Sequence, residues 1–309
     1  MAKLSTKAKN NIFDLNFVCL VILTKNMKRF VYLLVALLLI IGFTAYAQDF
    51  FLLPGSFYMK KGDNINLHLL SGNEFAKEGE YKYDGAKISK FVLYEGKKQT
   101  DLSKLPKDTA SNILNYKLES PGLATIEVIK SENVESERNK FLKYLNSEGL
   151  DQIAEEAKAN NQQYFVEKTT RFLKTLVSVD KPNDRDFDKP LNEDYEIVIK
   201  QNPYKSDYGD DVTAEVLFHG KPLKEAVVIL YVKTINGNVY PQKLSADSNG
   251  LIFFKLSREG IYMLSSVHIE ASKDKNADFE SWGTTYTFAF TNNGSMPDTY
   301  REFGFGNKH

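Results

Sequence analysis

The stretch EAVVILYVKTINGNVY, residues 225–240, decides the fold. Its first apolar run is rich in Val and Ile, and Asn236-Gly237 separates it from a second run that begins at Val239. An Asn-Gly pair between two such runs is a strong short-range signal for a tight β-hairpin turn. The stretch therefore predicts two antiparallel strands and favours a β fold for the chain around it.

Strand patterns continue on both sides of this hairpin, from residue 195 to residue 291. The runs are short, rich in β-branched and aromatic residues, and separated by turn residues; they include YEIVIKQ, VTAEVLFHG, LIFFKLS, YMLSSVHIEA and TTYTFAF. Short strands at this spacing are typical of a sandwich. We predict an antiparallel β-sandwich of immunoglobulin or transthyretin type over 195–291, and a mobile Gly- and Asn-rich tail over 292–309.

The preceding residues predict a second β region and a helical segment. Residues 48–132 alternate short apolar runs with turns such as Pro54-Gly55, which predicts an N-terminal β domain. Over 133–180 the apolar residues recur every three or four positions, which predicts helices around 141–157, punctuated by Gly149, and again over 164–176. The charged segment 181–194 has little to bury and is predicted to be a linker. The predicted fold class is mainly β, with two antiparallel β-sandwich domains and a helical segment between them.

Residues 1–47 have the pattern of a leader. An apolar run over 31–43 follows two basic residues, and Ala45-Tyr46-Ala47 has the spacing of a cleavage site. This is typical of a cleavable secretory signal peptide whose true start is Met27. The run is shorter than the roughly 20 residues that span a bilayer, so a permanent membrane helix is the weaker alternative. We predict an exported chain that starts at Gln48, has no membrane span after cleavage, and lies in the periplasm or another extracytoplasmic compartment.

Composition narrows the classes of function. The single cysteine, Cys19, lies in the predicted leader, which excludes disulfides and thiol catalysis from the exported chain. The leader also holds six basic residues and one acidic residue, so the exported chain keeps 34 basic and 39 acidic residues and a net charge near −5. This balance argues against nucleic acid as a partner. The chain has no GxSxG motif, P-loop or dinucleotide fingerprint, and we predict no enzyme activity.

Six segments in order carry a resemblance to a known family. They are QDFFLLPGSF, GDNINLHLLSGNEF, NKFLKYLNSEGLDQI, GKPLKEAVVILY, DSNGLIFFKLSREGIYMLSSVHIE and DFESWGTTYTF. Together they resemble a family of exported bacterial proteins that is labelled a domain of unknown function and is described as the periplasmic component of ABC-type cobalt and nickel transport. The resemblance covers nearly all of the chain after the leader. It implies a binding protein that supports uptake of a divalent metal ion, nickel or cobalt, together with transporter components of the envelope.

The resemblance also implies a site. The family usually has a histidine where this chain has Gln48, and a terminal histidine can chelate a metal ion through its amine and its imidazole together. Gln48 lacks the imidazole, which excludes a histidine-brace copper oxygenase. The remaining candidate metal ligands are His268 in the VHM-like segment, Asp278 and Glu280 in the DWES-like segment, and Asp49 next to the predicted terminus.

The residue patterns leave other interpretations open. His68 fits a structural role and His219 a solvated turn, and no pair of histidines has the spacing of a zinc signature. A metal-free β-sandwich scaffold that binds a partner protein or a glycan is the main alternative to metal transport. The plentiful carboxylates also leave open a hydrolase that acts through two acids, although no pair is marked in the sequence.

Overall fold

A computed structural model describes residues 49–105, 113–181 and 186–306, and all of them belong to one compact unit. The predicted leader and Gln48 lie outside these residues. In the part of the chain that is described, no helix is both long enough and apolar enough to cross a membrane.

The described residues form seventeen strands and three helices. The strands are β1 (Asp49–Pro54), β2 (Tyr58–Met59), β3 (Asn64–Gly72), β4 (Gly79–Tyr81), β5 (Ile88–Glu95), β6 (Lys98–Asp101), β7 (Leu114–Lys117), β8 (Gly122–Glu137), β9 (Tyr164–Val179), β10 (Tyr195–Ile199), β11 (Asp211–Phe218), β12 (Lys221–Pro222), β13 (Val227–Lys233), β14 (Val239–Ser245), β15 (Leu251–Lys255), β16 (Gly260–Ala271) and β17 (Phe279–Phe290). The helices are α1 (Arg138–Ser147), α2 (Asp151–Ala159) and α3 (Thr299–Glu302), and Asp186–Asp188 forms a 3₁₀ turn. The prediction of a mainly β fold is confirmed.

Three sheets are stacked in layers. The central sheet has eight strands in the order β14-β13-β16-β17-β9-β8-β5-β6, and β2 pairs with β9 as the ninth. A four-stranded sheet of β1, β3, β4 and β7 covers one side, here called the β1 face, and a sheet of β10, β11, β12 and β15 covers the other, the β10 face. Adjacent residues of β9 enter different cores, since Leu173 packs under the β1 sheet and Phe172 under the β10 sheet. The central sheet is therefore buried on both faces.

The hairpin predicted at Asn236-Gly237 is confirmed. Strand β13 pairs antiparallel with β14, and Lys233 opposite Val239 closes the ladder beside the turn. Gly237 has a φ of 84° and donates its backbone N–H to the carbonyl of Thr234 at 2.9 Å. Glycine adopts this left-handed conformation without the steric cost that a side chain would add.

The two predicted β regions are joined by one continuous sheet. Strand β17 runs parallel to β9 over nine paired positions, 279–287 against 167–175. Strand β9 in turn pairs antiparallel with β8 along all sixteen residues of both strands. The central sheet therefore contains strands from before and after the predicted linker. Pairings between such distant segments leave no local signal, which explains why the sequence pattern does not show them.

The predicted helical segment is partly strand. Helices α1 and α2 occupy 138–159 as the periodicity indicates, but the helix predicted over 164–176 is wrong, because these residues belong to β9. A strand that is buried on both faces carries adjacent apolar residues, such as Phe172 and Leu173, and periodicity alone does not distinguish it from a buried helix. The Thr and Val residues of this stretch favour the extended form.

The helical hairpin packs on the β1 face at the ends of β9 and β17. The Phe141 ring lies 5.1 Å from the ring centroids of both Phe165 and Phe279. Gly149, which was predicted to punctuate the helices, follows the end of α1 with a φ of 74°. The next residue, Leu150, donates its N–H to the carbonyl of Leu145 at 2.8 Å, a bond typical of a glycine-terminated helix.

The last described part of the tail is docked, so the prediction of a mobile tail is wrong for 299–306. Thr299, Phe303 and Phe305 are at most 2% exposed, and the two phenylalanines pack in the core of the β1 face. The Tyr300 ring stacks on His68 at 3.8 Å, which gives His68 the structural role expected from its sequence context. The apolar anchors outweigh the Gly- and Asn-rich composition because they bury aromatic surface.

Candidate functional site

The predicted metal ligands do not converge on one point. His268 lies on the β10 face, where its ring is 4.3 Å from that of Phe218 and its Nε2 is 2.9 Å from Oε1 of Glu270. Asp49 lies on the β1 face, where its Oδ1 accepts a hydrogen bond from Ser265 Oγ at 2.8 Å. Side chains alternate along a strand, so Ser265 and His268 of β16 point to opposite faces. The central sheet therefore separates Asp49 from His268.

Asp278 and Glu280 have other partners. Asp278 accepts hydrogen bonds from the backbone N–H of Val166 at 2.8 Å and from Gln162 Nε2 at 3.0 Å, so both of its oxygens fix a loop. Glu280 is on the β10 face and forms an ion pair of 3.7 Å with Lys168. Among the described residues, no group of three or more His, Cys, Asp or Glu side chains is arranged to hold a metal ion. The ligand set implied by the resemblance therefore does not form one site.

A cleft on the β1 face collects charged side chains around Asp49 instead. It lies between the start of β1, the C-terminal end of α1 and the β13–β14 hairpin, and its volume is about 540 Å³. We call it the Asp49 cleft. Its lining includes Asp49, Glu74, Lys143, Glu148, Tyr231 and Lys243.

Two carboxylates in this cleft repel one another. Glu148 caps the C-terminus of α1, where the helix dipole disfavours a negative charge. Partial burial and the charge of Asp49 raise the pKa of Glu148 to about 8, against the opposing effect of Arg171. Burial also raises the pKa of Asp49, although the Ser265 hydrogen bond and Arg171 counteract it. The pair therefore retains a proton near neutral pH.

Arg171 supplies the positive charge beneath the two carboxylates. Its side chain is 11% exposed, its Nη1 donates to Ser281 Oγ at 2.9 Å, and its Nη2 is 3.6 Å from Oε1 of Glu167. Gly283 gives it room, because a Cβ at that position would lie 2.7 Å from Cδ of Arg171. One guanidinium thus faces three carboxylates, those of Glu167 and of the two cleft residues.

A tyrosine hydroxyl completes the cluster. Tyr144 is 6% exposed, and its Oη has no hydrogen-bond partner among the described residues. Burial, followed by the charge of Glu167, raises the pKa of this hydroxyl well above its usual value; Arg171 counteracts this rise, and both cleft carboxylates add to it. The hydroxyl therefore stays neutral, and it is buried rather than part of the cleft lining.

Sequence reasoning found only Asp49 of this cluster. Glu148 stands directly before the helix-ending Gly149, a position where a carboxylate does not favour the helix, and that mismatch is the one local signal. Arg171 and Glu167 lie in β9, which the periodicity predicted as helix.

The Glu148→Gln substitution is expected to stabilise the protein at high pH. In the folded protein the pKa of Glu148 is about 8, which is above its ordinary value of 4.5. The contribution of neutral Glu148 to the free energy of unfolding is therefore fully present below pH 4.5 and is lost as the pH rises through 8. Gln cannot ionise, so we expect a gain of about 1–2 kcal/mol in the free energy of unfolding at about pH 9 and little change at about pH 5. Thermal unfolding at both pH values measures this, and an equal shift at both would contradict it.

Comparison with protein families gives a match over residues 45–270, to a family described as a domain of unknown function. This chain belongs to the DUF4198 family. The DUF4198 match includes Asp49, Glu148 and Arg171, so the cluster of the cleft lies within the family region, whereas Asp278 and Glu280 lie beyond its end.

Two solved structures are distantly similar to this DUF4198 chain. The D0-D1 domain of intimin is 11% identical, with a TM-score of 0.19, over 79% of this chain and 98% of that one. Three N-terminal domains of the highly immunogenic outer capsid protein of bacteriophage RB49 are 6% identical, with a TM-score of 0.18, over 79% of this chain and 100% of that one. At these TM-scores neither likeness bears on function. No curated protein matches the chain.

Proposed function

We propose that this DUF4198 protein is an exported, non-enzymatic binding protein that holds a divalent metal ion in the Asp49 cleft and supports its uptake, with nickel and cobalt as the first ions to test. The observation that carries the proposal is the pair formed by Asp49 and Glu148 in an open cleft, each with a raised pKa. A cation placed between two such carboxylates offsets their repulsion.

The donors in the cleft favour a metal that arrives with ligands of its own. Asp49 and Glu148 supply carboxylate oxygens from the lining of the cleft. Carboxylate oxygens from two side chains leave several coordination positions of a divalent ion unfilled. The cleft is much larger than an ion, and Lys143 and Lys243 in its lining suit the anionic groups of a chelator. The cargo we favour is therefore a metal complex with a small anionic chelator.

The role in uptake is supported by the resemblance and by the predicted leader. The leader implies an extracytoplasmic protein, and the resemblance implies one that works with a transporter of the envelope. The donor set proposed here retains Asp49 of the ligands implied by that resemblance and replaces the other three with Glu148.

Calorimetric titration of residues 48–309 tests the proposal. The metal-free protein is titrated with the chlorides of nickel, cobalt, copper and zinc, and with the citrate complex of each ion. We expect stoichiometric binding of at least one ion or complex, weakened about a hundredfold by Asp49→Asn or Glu148→Gln, because even indirect supports of a metal site are worth about 10–100-fold.

Two control variants locate the binding. Glu155→Gln removes a carboxylate from a side chain that is 71% exposed on α2, and His268→Ala removes the imidazole on the β10 face. Both should bind as the unmodified protein does. Absence of heat with every ion and complex, or binding that His268→Ala removes and Asp49→Asn retains, would overturn the proposal.

A further inference from the structure

A second cleft, of about 310 Å³, opens on the β10 face. Its floor is formed by Lys174 of β9, Tyr286 of β17 and Thr125 of β8, and Lys174 is directly opposite Tyr286 in the strand register. One wall is the β5–β6 hairpin with Tyr94, and the other is the 3₁₀ turn, which contributes Phe187, together with the residues that follow it. We call it the Lys174 cleft.

The polar groups at this floor are not all satisfied. Lys174 is 3% exposed, and its ammonium makes one hydrogen bond among the described residues, to Oε2 of Glu196 at 3.1 Å, although it has three donors. Glu127 is directly opposite Lys174 on β8 and is fully buried. Its Oε2 accepts from the Tyr94 hydroxyl at 3.0 Å, whereas its Oε1 has no hydrogen-bond partner in the described part of the chain. The Lys174 ammonium therefore keeps N–H groups that can donate to a ligand in the cleft.

The buried charges around the cleft floor are paired. The Lys174 ammonium is neutralised by Glu196, whose two oxygens also accept backbone N–H groups at 3.0 Å. Lys90 pairs with both Glu127 and Glu193, and its Nζ is 2.9 Å from Oε2 of Glu127. Because every buried charge here has a partner of opposite sign, and the two other lysines of the lining are exposed, the floor favours a neutral polar group over an ion.

Three aromatic rings give the cleft its apolar surface. Tyr94 and Phe187 form the walls, and the Tyr286 ring lies 5.2 Å from Nζ of Lys174 on the floor. A sugar ring matches this combination, because its hydroxyls accept and donate hydrogen bonds while its C–H faces pack against aromatic rings. The volume is at the lower end of the range of small-molecule sites, which suits a single ring.

We infer that the Lys174 cleft binds one ring of a neutral carbohydrate. A sugar hydroxyl accepts a hydrogen bond from the Lys174 ammonium, and the apolar face of the ring packs between Tyr94 and Phe187. This site is independent of the proposed metal site, because the central sheet separates the β10 face from the Asp49 cleft.

Saturation-transfer NMR with a panel of sugars tests the inference. Residues 48–309 are mixed in turn with millimolar glucose, galactose, mannose and N-acetylglucosamine, and with glucuronate as the charged comparison. We expect transfer to at least one neutral sugar, reduced about tenfold or more by Phe187→Ala, since an aromatic wall contributes more than about 1.4 kcal/mol.

The control is the same substitution at Phe253, which is 55% exposed on β15 and distant in sequence from every residue of the cleft lining. Phe253→Ala and Asp49→Asn should bind sugar as the unmodified protein does, so failure of the metal proposal leaves this test intact. The inference is overturned if none of the neutral sugars receives saturation from the protein, because the cleft would then hold only water. Transfer to glucuronate alone, or equal transfer in Phe187→Ala, would also overturn it.

Discussion

Replacement of Arg171 with Met is expected to lower the free energy of unfolding by about 3–5 kcal/mol, the range found when one partner of a buried ion pair is removed. The guanidinium is the positive group that faces the carboxylates of Glu167, Asp49 and Glu148. Met retains most of the apolar stem that packs over Gly283, so the loss arises from charge rather than from an empty space.

Urea unfolding at neutral pH measures this effect. Arg301→Met is the matched control, because that side chain is 80% exposed and its ion pair with Asp298 is on the surface; a change below about 0.5 kcal/mol is expected. The double variant Arg171→Met with Glu167→Gln should recover part of the lost free energy of unfolding, since it removes one of the carboxylates that no longer faces a cation. Equal, small effects of Arg171→Met and Arg301→Met would show that the cluster is not held by this charge.

Replacement of Phe141 with Ala is the second large effect, also about 3–5 kcal/mol. The ring is 1% exposed and lies 5.1 Å from both Phe165 and Phe279, so truncation leaves a cavity between the helical hairpin and the central sheet. Because Glu148 caps the same helix, loosening α1 is also expected to weaken metal binding in the Asp49 cleft, although Phe141 does not line it.

Unfolding experiments and calorimetric titration of the same sample separate the two consequences. Tyr164→Ala is the control, because its ring is 55% exposed at the start of β9, next to the buried Phe165. We expect that substitution to change stability by less than about 1 kcal/mol and to leave binding unaltered. Metal affinity that survives Phe141→Ala in full would mean that Glu148 is not held in place by the packing of α1.

Local signals in the sequence predicted the local parts of the fold. Asn236-Gly237 specified a hairpin because few residues accept its left-handed backbone, and Gly149 marked the end of a helix for the same reason. The pairing of β17 with β9 and the strand conformation of β9 were not predicted. Both depend on packing against segments more than a hundred residues away, and adjacent apolar residues such as Phe172 and Leu173 reveal no single period.

In the candidate site, too, the sequence predicts what has a local signal and misses what depends on tertiary contacts. The alternation of β16 places His268 on the side opposite to Val267 and Ile269, but the sequence does not show which sheet covers each side. Asp49 was predicted from its position in the chain, whereas its neighbour Glu148 is brought to it by the docking of α1. Clusters assembled by tertiary contacts leave no spacing in the sequence that a motif could detect.

The most direct test of the central claim is anomalous diffraction at the nickel edge from crystals of residues 48–309 grown with nickel citrate. The proposal predicts one peak in the Asp49 cleft, within about 2–3 Å of carboxylate oxygens of both Asp49 and Glu148. A peak beside His268 on the β10 face, or no ordered nickel under conditions in which calorimetry detects binding, would contradict it.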